Sequence, residues 1–323
     1  MEKSQEIRNR IKSISGTRKI TKAMEMIASS KIRRAQNRIL EARAFISSIE
    51  EVITDVACYS GLLHFPLLTP HENDRTVLIL GVTADRGLCG GYNSNIVRLI
   101  EKTFRMVSAA GKTVKLDIIG IRGRNYFRYM GYEIEKVYEN LSDYPKFLDA
   151  REISREIISR YLSEQVDRVI ICYTRFKNPA EQIPSVRQLL PIPIYGGISD
   201  ENIEDIVKNS NKLFYDRLES LGQIQIGDKT CRINPEFLYD PSPADVIGSL
   251  LPQYIYTIVY GALLEATASE TGARMTAMKS ASDNAEEMIK DLVLMYHRAR
   301  QQQITMEIAE IVSGAQALAT VAE

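Results

Sequence analysis

Proline is absent before Pro66, and from Pro243 to the last residue it recurs only at Pro252. Helices at the two ends of the chain therefore meet few of the ring clashes that break helices. Cysteine is scarce. Cys58, Cys89, Cys172 and Cys231 form no CxxC pair, which argues against a zinc ribbon or dithiol redox motif. They read as reduced thiols of a cytosolic protein. His64, His71 and His297 share no metal-ligand spacing with one another or with a Cys or carboxylate. No run of ~18 apolar residues occurs, so no membrane span is expected. The first residues lack the short apolar core and cleavage site of a signal peptide. GxSxG, HExxH and GxxxxGK[ST] are all missing. Phe45 and Tyr59 are the only aromatics in the first 60 residues, too few for a base-stacking surface.

What fills the proline-free N-terminal stretch is a hydrophobic rhythm in steps of three and four. It runs Ile7, Ile11, Ile14, Arg18, Thr21, Glu25, Ala28, Ile32, Ala35, Ile39, Ala42, Ile46, Ile49, Ile53 and Val56, polar from Arg18 to Glu25. A period of about 3.5 predicts a left-handed coiled coil, ~80 Å long at ~1.5 Å per residue. Such a seam needs a partner. Asp240-Pro241-Ser242-Pro243 reads as a helix entry, with Ser242 as N-cap and Pro243 at the first helical position. Beyond it Met275, Met278, Ser282, Ala285, Ile289, Leu292, Tyr296, Ala299 and Gln303 repeat the three–four step. Two long terminal helices most simply pair antiparallel, with the intervening chain inserted at one end. Two separate homodimeric coiled coils are the alternative. The second helix is the longer, so its last turns pass the end of the first. From Ile304 to Ala322 they are apolar around most of the circumference, a pattern that calls for burial in a partner. A frayed, alanine-rich end is the plainer reading.

Residues 75–192 alternate strand and helix. Strands are expected at Thr76–Thr83, Thr113–Ile119, Tyr132–Val137, Val166–Tyr173 and, as an edge, Gln182–Leu190. Helices are expected at Ile96–Val107, Gly123–Met130 and Ala150–Leu162. This predicts a mostly parallel, doubly wound α/β sheet of Rossmann-like type. The chain thus divides into an N-terminal coiled-coil helix (1–58), the α/β domain (75–192), an irregular foot or insertion (193–242, with an amphipathic stretch Ile203 to Leu221) and a C-terminal coiled-coil helix (243–323).

The glycine-rich element Asp85-Arg86-Gly87-Leu88-Cys89-Gly90-Gly91-Tyr92-Asn93 sits where a doubly wound fold binds phosphate. Its spacing is not GxGxxG and no acid ends the next strand, so a tight turn is the better reading than a nucleotide site. No cofactor is expected. Net charge is zero but uneven: residues 1–40 hold eleven Lys/Arg against three Asp/Glu, and residues 200–245 ten acids against five bases. A basic helix suits nucleic acid, an anionic membrane or an acidic protein surface; a solvated face is the bland reading.

Ile20-Thr21-Lys22-Ala23-Met24-Glu25-Met26 and Ser30-Lys31-Ile32-Arg33-Arg34-Ala35 resemble the N-terminal helix of the gamma subunit of F-type ATP synthases. Thr83-Ala84-Asp85-Arg86-Gly87-Leu88-Cys89-Gly90-Gly91-Tyr92-Asn93 is similar to that family's central turn. Ala273-Arg274-Met275-Thr276-Ala277-Met278-Lys279, Ala281-Ser282-Asp283-Asn284-Ala285, Arg298-Ala299-Arg300-Gln301, Ile304-Thr305 and Glu307-Ile308 are similar to its C-terminal signature. Residues 193–235 depart from the shorter bacterial pattern by carrying extra residues.

The resemblance implies a central rotor shaft that couples proton or sodium flow to conformational cycling of catalytic subunits, with catalysis in other chains. It implies the alpha and beta subunits of a catalytic hexamer, the epsilon subunit and the membrane rotor ring as partners, and neither nucleic acid nor a membrane span. It implies a peripheral location on the cytoplasmic face of the inner (plasma) membrane. By resemblance, Lys22, Met24, Arg33, Arg34, Arg274, Arg300 and Gln301 serve partner contact or shaft coupling. Ile304, Ile308, Ile311, Val312 and Leu318 form an apolar bearing tip. Plastid relatives carry a cysteine pair in the extra segment; here Cys231 is alone, so no local dithiol switch is expected. A non-rotary coiled-coil adaptor with a Rossmann-like head, or an enzyme using the turn at Asp85, are the competing readings.

Overall fold

The computed structural model describes residues 2–60, 65–193 and 243–321. The expectations for the foot at 193–242 beyond Pro193, for Ser242 as N-cap and for Cys231 lie outside the described residues, as do the side chains of Ile53, Val56, Cys58 and Leu318.

Helix α1 runs unbroken over Glu2–Ser60. Strand β1 (Thr76–Val82) follows, then helix α2 (Tyr92–Ala109), β2 (Thr113–Ile119), helix α3 (Ile121–Tyr129) and β3 (Lys136–Tyr138). Helix α4 (Phe147–Leu162), β4 (Arg168–Asn178), β5 (Glu181–Leu190) and helix α5 (Pro243–Val321) complete the order. The chain resolves into two compact units. One comprises residues 1–28 and 274–323, the other 29–273.

The second unit is built on a five-stranded sheet of order β3-β2-β1-β4-β5. β1 lies parallel to β2 and β4, and β2 parallel to β3. β5 is antiparallel to β4. The sheet is covered on both faces, which is why β1 is an uninterrupted apolar run rather than an alternating one. One face packs Val77, Ile79, Leu116, Ile118 and Ile170 against Ile96 and Ile100 of α2 and Phe127 of α3. The other packs Leu78, Leu80, Val82, Val169 and Ile171 against α4 (Ile153, Ile157, Tyr161), α1 (Ile46, Ile49) and α5 (Leu251, Ile255, Ile258, Val259, Leu263).

Two strand expectations need correction. Tyr132 and Ile134 are not in a strand; they tuck against the α2/α3 core, and pairing with β2 begins only at Lys136. β4 does not stop at Tyr173 but continues to Asn178 and turns tightly into β5. Asn178 Oδ1 accepts from Ala180 N (2.9 Å) and Glu181 N (2.8 Å), closing that turn.

In the first unit α1 and α5 pair antiparallel: Ser4 Oγ donates to Gln303 Oε1 at 3.1 Å, and Arg18 lies 3.8 Å from Glu286. The same sense holds in the second unit, where Arg43 pairs with Glu265. Every expected α5 seam position from Met275 to Gln303 is buried or half-buried. Along α1 the described seam positions are likewise covered, with one exception: Arg18 points outward, because its guanidinium reaches Glu286 from the helix flank.

Candidate functional site

At the centre of the helix pair in the first unit most of the facing residues are small: Thr21, Ala28, Ser282 and Ala285, with Met278 beside them, are all under 10 % exposed. The polar stretch of the α1 seam is satisfied within its own helix. Thr21 Oγ1 donates to Arg18 O (3.0 Å), and Lys22 Nζ donates to both Glu25 oxygens (3.3 and 3.0 Å). Among the described residues the charged contact across the pair, Arg18–Glu286, is long and half exposed, worth at most about 1 kcal/mol.

Met24 is half-buried beside that stretch, and Arg274 is half-buried on α5. Arg300 and Gln301 are exposed; the Gln301 carbonyl accepts from Thr305 Oγ1 at 2.9 Å. Arg33 and Arg34 are exposed on the α1 part of the second unit. The residues named from the resemblance thus fall in separate places along the helices rather than in one cluster. α1 begins opposite Gln303, so α5 runs about five turns further without it. There Ile304, Ile308, Ile311 and Val312 are 45, 57, 71 and 50 % exposed.

Further outward apolar residues were not foreseen. Ile20, Met26 and Ile27 on α1, and Met288, Leu294, Met295 and Met306 on α5, are each more than half exposed. They lie off the seam. Their signal was available: each is a hydrophobe at a position the heptad does not need.

The glycine turn of the second unit is tied up by its own chain. Gly90 takes φ +55 and Leu88, unusually for leucine, +61, with its side chain 65 % exposed. Asp85 Oδ1 accepts from Ile121 N (3.2 Å) at the start of α3, and Oδ2 from Ser142 N (3.1 Å). Asn93 Oδ1 accepts from Ala84 N (3.1 Å), and Asn93 Nδ2 contacts Cys89 Sγ (3.1 Å). Thr83 Oγ1 donates to Ile119 O (2.8 Å) and accepts from Gly123 N (3.0 Å). A phosphate here would meet a carboxylate where it needs free N–H groups. The closed gap beneath, lined by Thr83, Tyr92, Ser142, Thr267 and Glu270, holds about 10 Å³, room for a single water. We therefore expect the full chain to show no binding heat with ATP, ADP or NAD; calorimetry giving micromolar affinity for any of them would restore the enzyme reading.

The described cysteines are buried. Burial pushes the Cys172 thiol up to about 12, leaving it inert at neutral pH. Burial also raises the Glu265 carboxyl, opposed by Arg43, whose Nε and Nη2 donate to Oε1 at 3.1 and 2.8 Å.

A family model described as ATP synthase matches residues 3–318. The ATP synthase gamma chain of Halothermothrix orenii is 41 % identical over 320 residues, 98 % of this chain and 100 % of that one. The gamma chain of Gloeothece citriformis is 39 % identical, covering 97 % and 98 %. Among solved structures, a chain of the Euglena gracilis mitochondrial ATP synthase (OSCP/F1/c-ring) aligns with a TM-score of 0.61 at 16 % identity, covering 98 % of this chain and 95 % of that one. A chain of the Tetrahymena thermophila mitochondrial ATP synthase (central stalk and c-ring) aligns at 0.55 and 22 % identity, covering 81 % and 99 %.

Proposed function

Because the chain belongs to the ATP synthase gamma chain family, we propose that it turns as the central shaft of an F-type ATP synthase, driven by ions crossing a membrane rotor ring. It is a non-catalytic subunit, and its work is mechanical. Its partners are the alpha and beta subunits, the epsilon subunit and the ring. No described helix is long and apolar enough to cross a membrane, in keeping with a peripheral place on the cytoplasmic face of the plasma membrane.

The observation that carries this reading is the longer helix of an antiparallel pair ending in outward-facing apolar residues, Ile304, Ile308, Ile311 and Val312. An apolar end can turn inside an apolar collar, because non-directional contacts hold no one angle strongly. Leu318 continues that end. Charged groups do the opposite. Arg300, with its planar fork of donors, can grip a carboxylate or carbonyl of the catalytic hexamer and favour particular angles. Lys22, Met24, Arg33, Arg34, Arg274 and Gln301 are assigned the same coupling role.

The test compares two variants in the assembled complex. Deleting Leu318–Glu323 removes ~1.5 turns and leaves most of the collar contact, so turnover should stay near wild type. Arg300→Ala loses a charge-assisted bond worth about 1.5–3 kcal/mol, so turnover should fall about tenfold with assembly intact. ATPase rate per assembled complex decides. A larger loss on truncation, with Arg300→Ala unimpaired, would place the coupling in the apolar end and remove it from Arg300.

A further inference from the structure

The helix pair meets the α/β domain of the second unit in two chemically different ways. α1 contributes the apolar side chains of Ile46 and Ile49, and α5 contributes apolar side chains between Leu251 and Ala266. Such packing resists separation but has little angular preference. Oriented polar contacts form two groups: one on the antiparallel edge of the sheet, where Arg43 Nη2 donates to Phe176 O (3.4 Å), Ser269 Oγ to Thr174 O (3.0 Å) and Arg187 Nη2 to the Tyr254 hydroxyl (3.1 Å), and one on residues 139–146, the connection between β3 and α4.

The domain holds this connection first. Glu139 pairs with Arg124 of α3. Ser142 and Asp85 bond twice, Ser142 N to Asp85 Oδ2 and Asp85 N to Ser142 Oγ, both 3.1 Å. Asp143 lies 3.1 Å from Arg86 of the glycine turn. The helices hold it from the other side. Lys31 of α1 reaches Asp143 at 3.3 Å. Arg38 of α1 lies 4.5 Å over the Tyr144 ring, and its Nη2 donates to Pro145 O (2.9 Å) and to the Tyr260 hydroxyl of α5 (2.8 Å). Among the described residues, Arg38 of α1 bonds both the connection and Tyr260 of α5. Guanidinium is suited to this, since stacking and in-plane donation each fix its orientation.

We propose that residues 139–146 form a strap that sets the angle between the α/β domain and helices α1 and α5 under load, with Arg38 as its positioning residue. This rests on the shaft reading: torque entering through the domain must pass into the helices, and the strap adds oriented bonds on the side of the sheet away from the β4–β5 edge contacts. The glycine turn then has a mechanical role, since Asp85 and Arg86 anchor the strap to the end of β1.

The experiment uses the complete complex carrying this chain, reconstituted in vesicles. ATP hydrolysis and ATP-driven ion uptake are read together, with and without an opposing ion gradient. In Arg38→Ala and Tyr144→Ala, hydrolysis without a gradient should stay within about twofold of wild type. Uptake against the gradient should fall about five- to tenfold. Asp143→Asn should show a smaller drop of the same kind. Tyr144→Phe keeps the ring face and should pump like wild type. Hydrolysis and uptake falling in parallel would reduce the strap to ordinary structural support and overturn the proposal, as would unchanged uptake in both alanine variants. If the wild-type complex hydrolyses ATP but takes up neither protons nor sodium, the shaft reading itself fails and the strap with it.

Discussion

Replacing Arg160 by alanine is expected to destabilise the folded chain by about 3–5 kcal/mol at neutral pH, because it strands a fully buried carboxylate. Asp117 sits mid-strand in β2 with no exposed surface, and Arg160 of α4 is its cation. The same guanidinium lies 3.1 Å from Glu135 and 3.6 Å from Glu156. Burial raises the Asp117 carboxyl above its ordinary range and the two glutamates push the same way, while Arg160 opposes them by hydrogen bond and charge.

The folded state therefore holds this proton to higher pH than the unfolded chain does. That contribution to stability is complete below the unfolded value of 3.8 and is lost as pH rises through the folded one. Without Arg160 the folded value climbs further. The cost of Arg160→Ala should then shrink as pH falls from about 7 to about 5 and Asp117 takes up its proton. Urea titrations followed by tyrosine near-ultraviolet dichroism at both pH values measure this. A loss below about 1 kcal/mol, or one that does not change with pH, would mean that water reaches Asp117.

Gly120→Ala should cost a similar amount for a different reason. Gly120 links β2 to α3 with φ +100, where a side chain is strained in any surroundings. An added Cβ would stand 2.3 Å from the Thr83 carbonyl oxygen and 2.7 Å from Thr83 Oγ1, both fixed by β1–β2 pairing. Strain and overpacking together predict a loss of about 3–5 kcal/mol. Gly131 is the internal control: φ is +79 but nothing lies within 4 Å, so Gly131→Ala should lose only about 1 kcal/mol. Equal losses at the two positions in denaturant titration would show that the close approach to Thr83 is relieved by a backbone shift.

The helix seams were legible because a heptad is a local pattern. The three–four steps through Met278, Ser282 and Ala285 needed no knowledge of what lay opposite. Strand β1 was legible because burial on both faces leaves an unmistakable apolar run. The direction of β5 was not, since an apolar pattern does not say which way a strand runs. With β4 placed to its true end at Asn178, the short Asn178-Pro179-Ala180-Glu181 connection would have required an antiparallel hairpin. Tyr132 and Ile134 imitated a strand because two side chains packing under helices alternate just as strand residues do. The strap was invisible for a deeper reason. Lys31, Arg38, Asp85, Asp143 and Tyr260 form no motif, and only the fold brings them together.

The α4 face of the sheet is completed by residues from the two ends of the chain, Ile46 and Ile49 at one and Leu251 to Ala266 at the other. During synthesis β1 to β5 leave the ribosome long before the last of these does. Leu78, Leu80, Val169 and Ile171 must then wait with much of their cover still untranslated. The nascent chain is obliged to carry an apolar sheet face that it cannot yet bury, and it is in this interval that it is most exposed to aggregation and most in need of a chaperone.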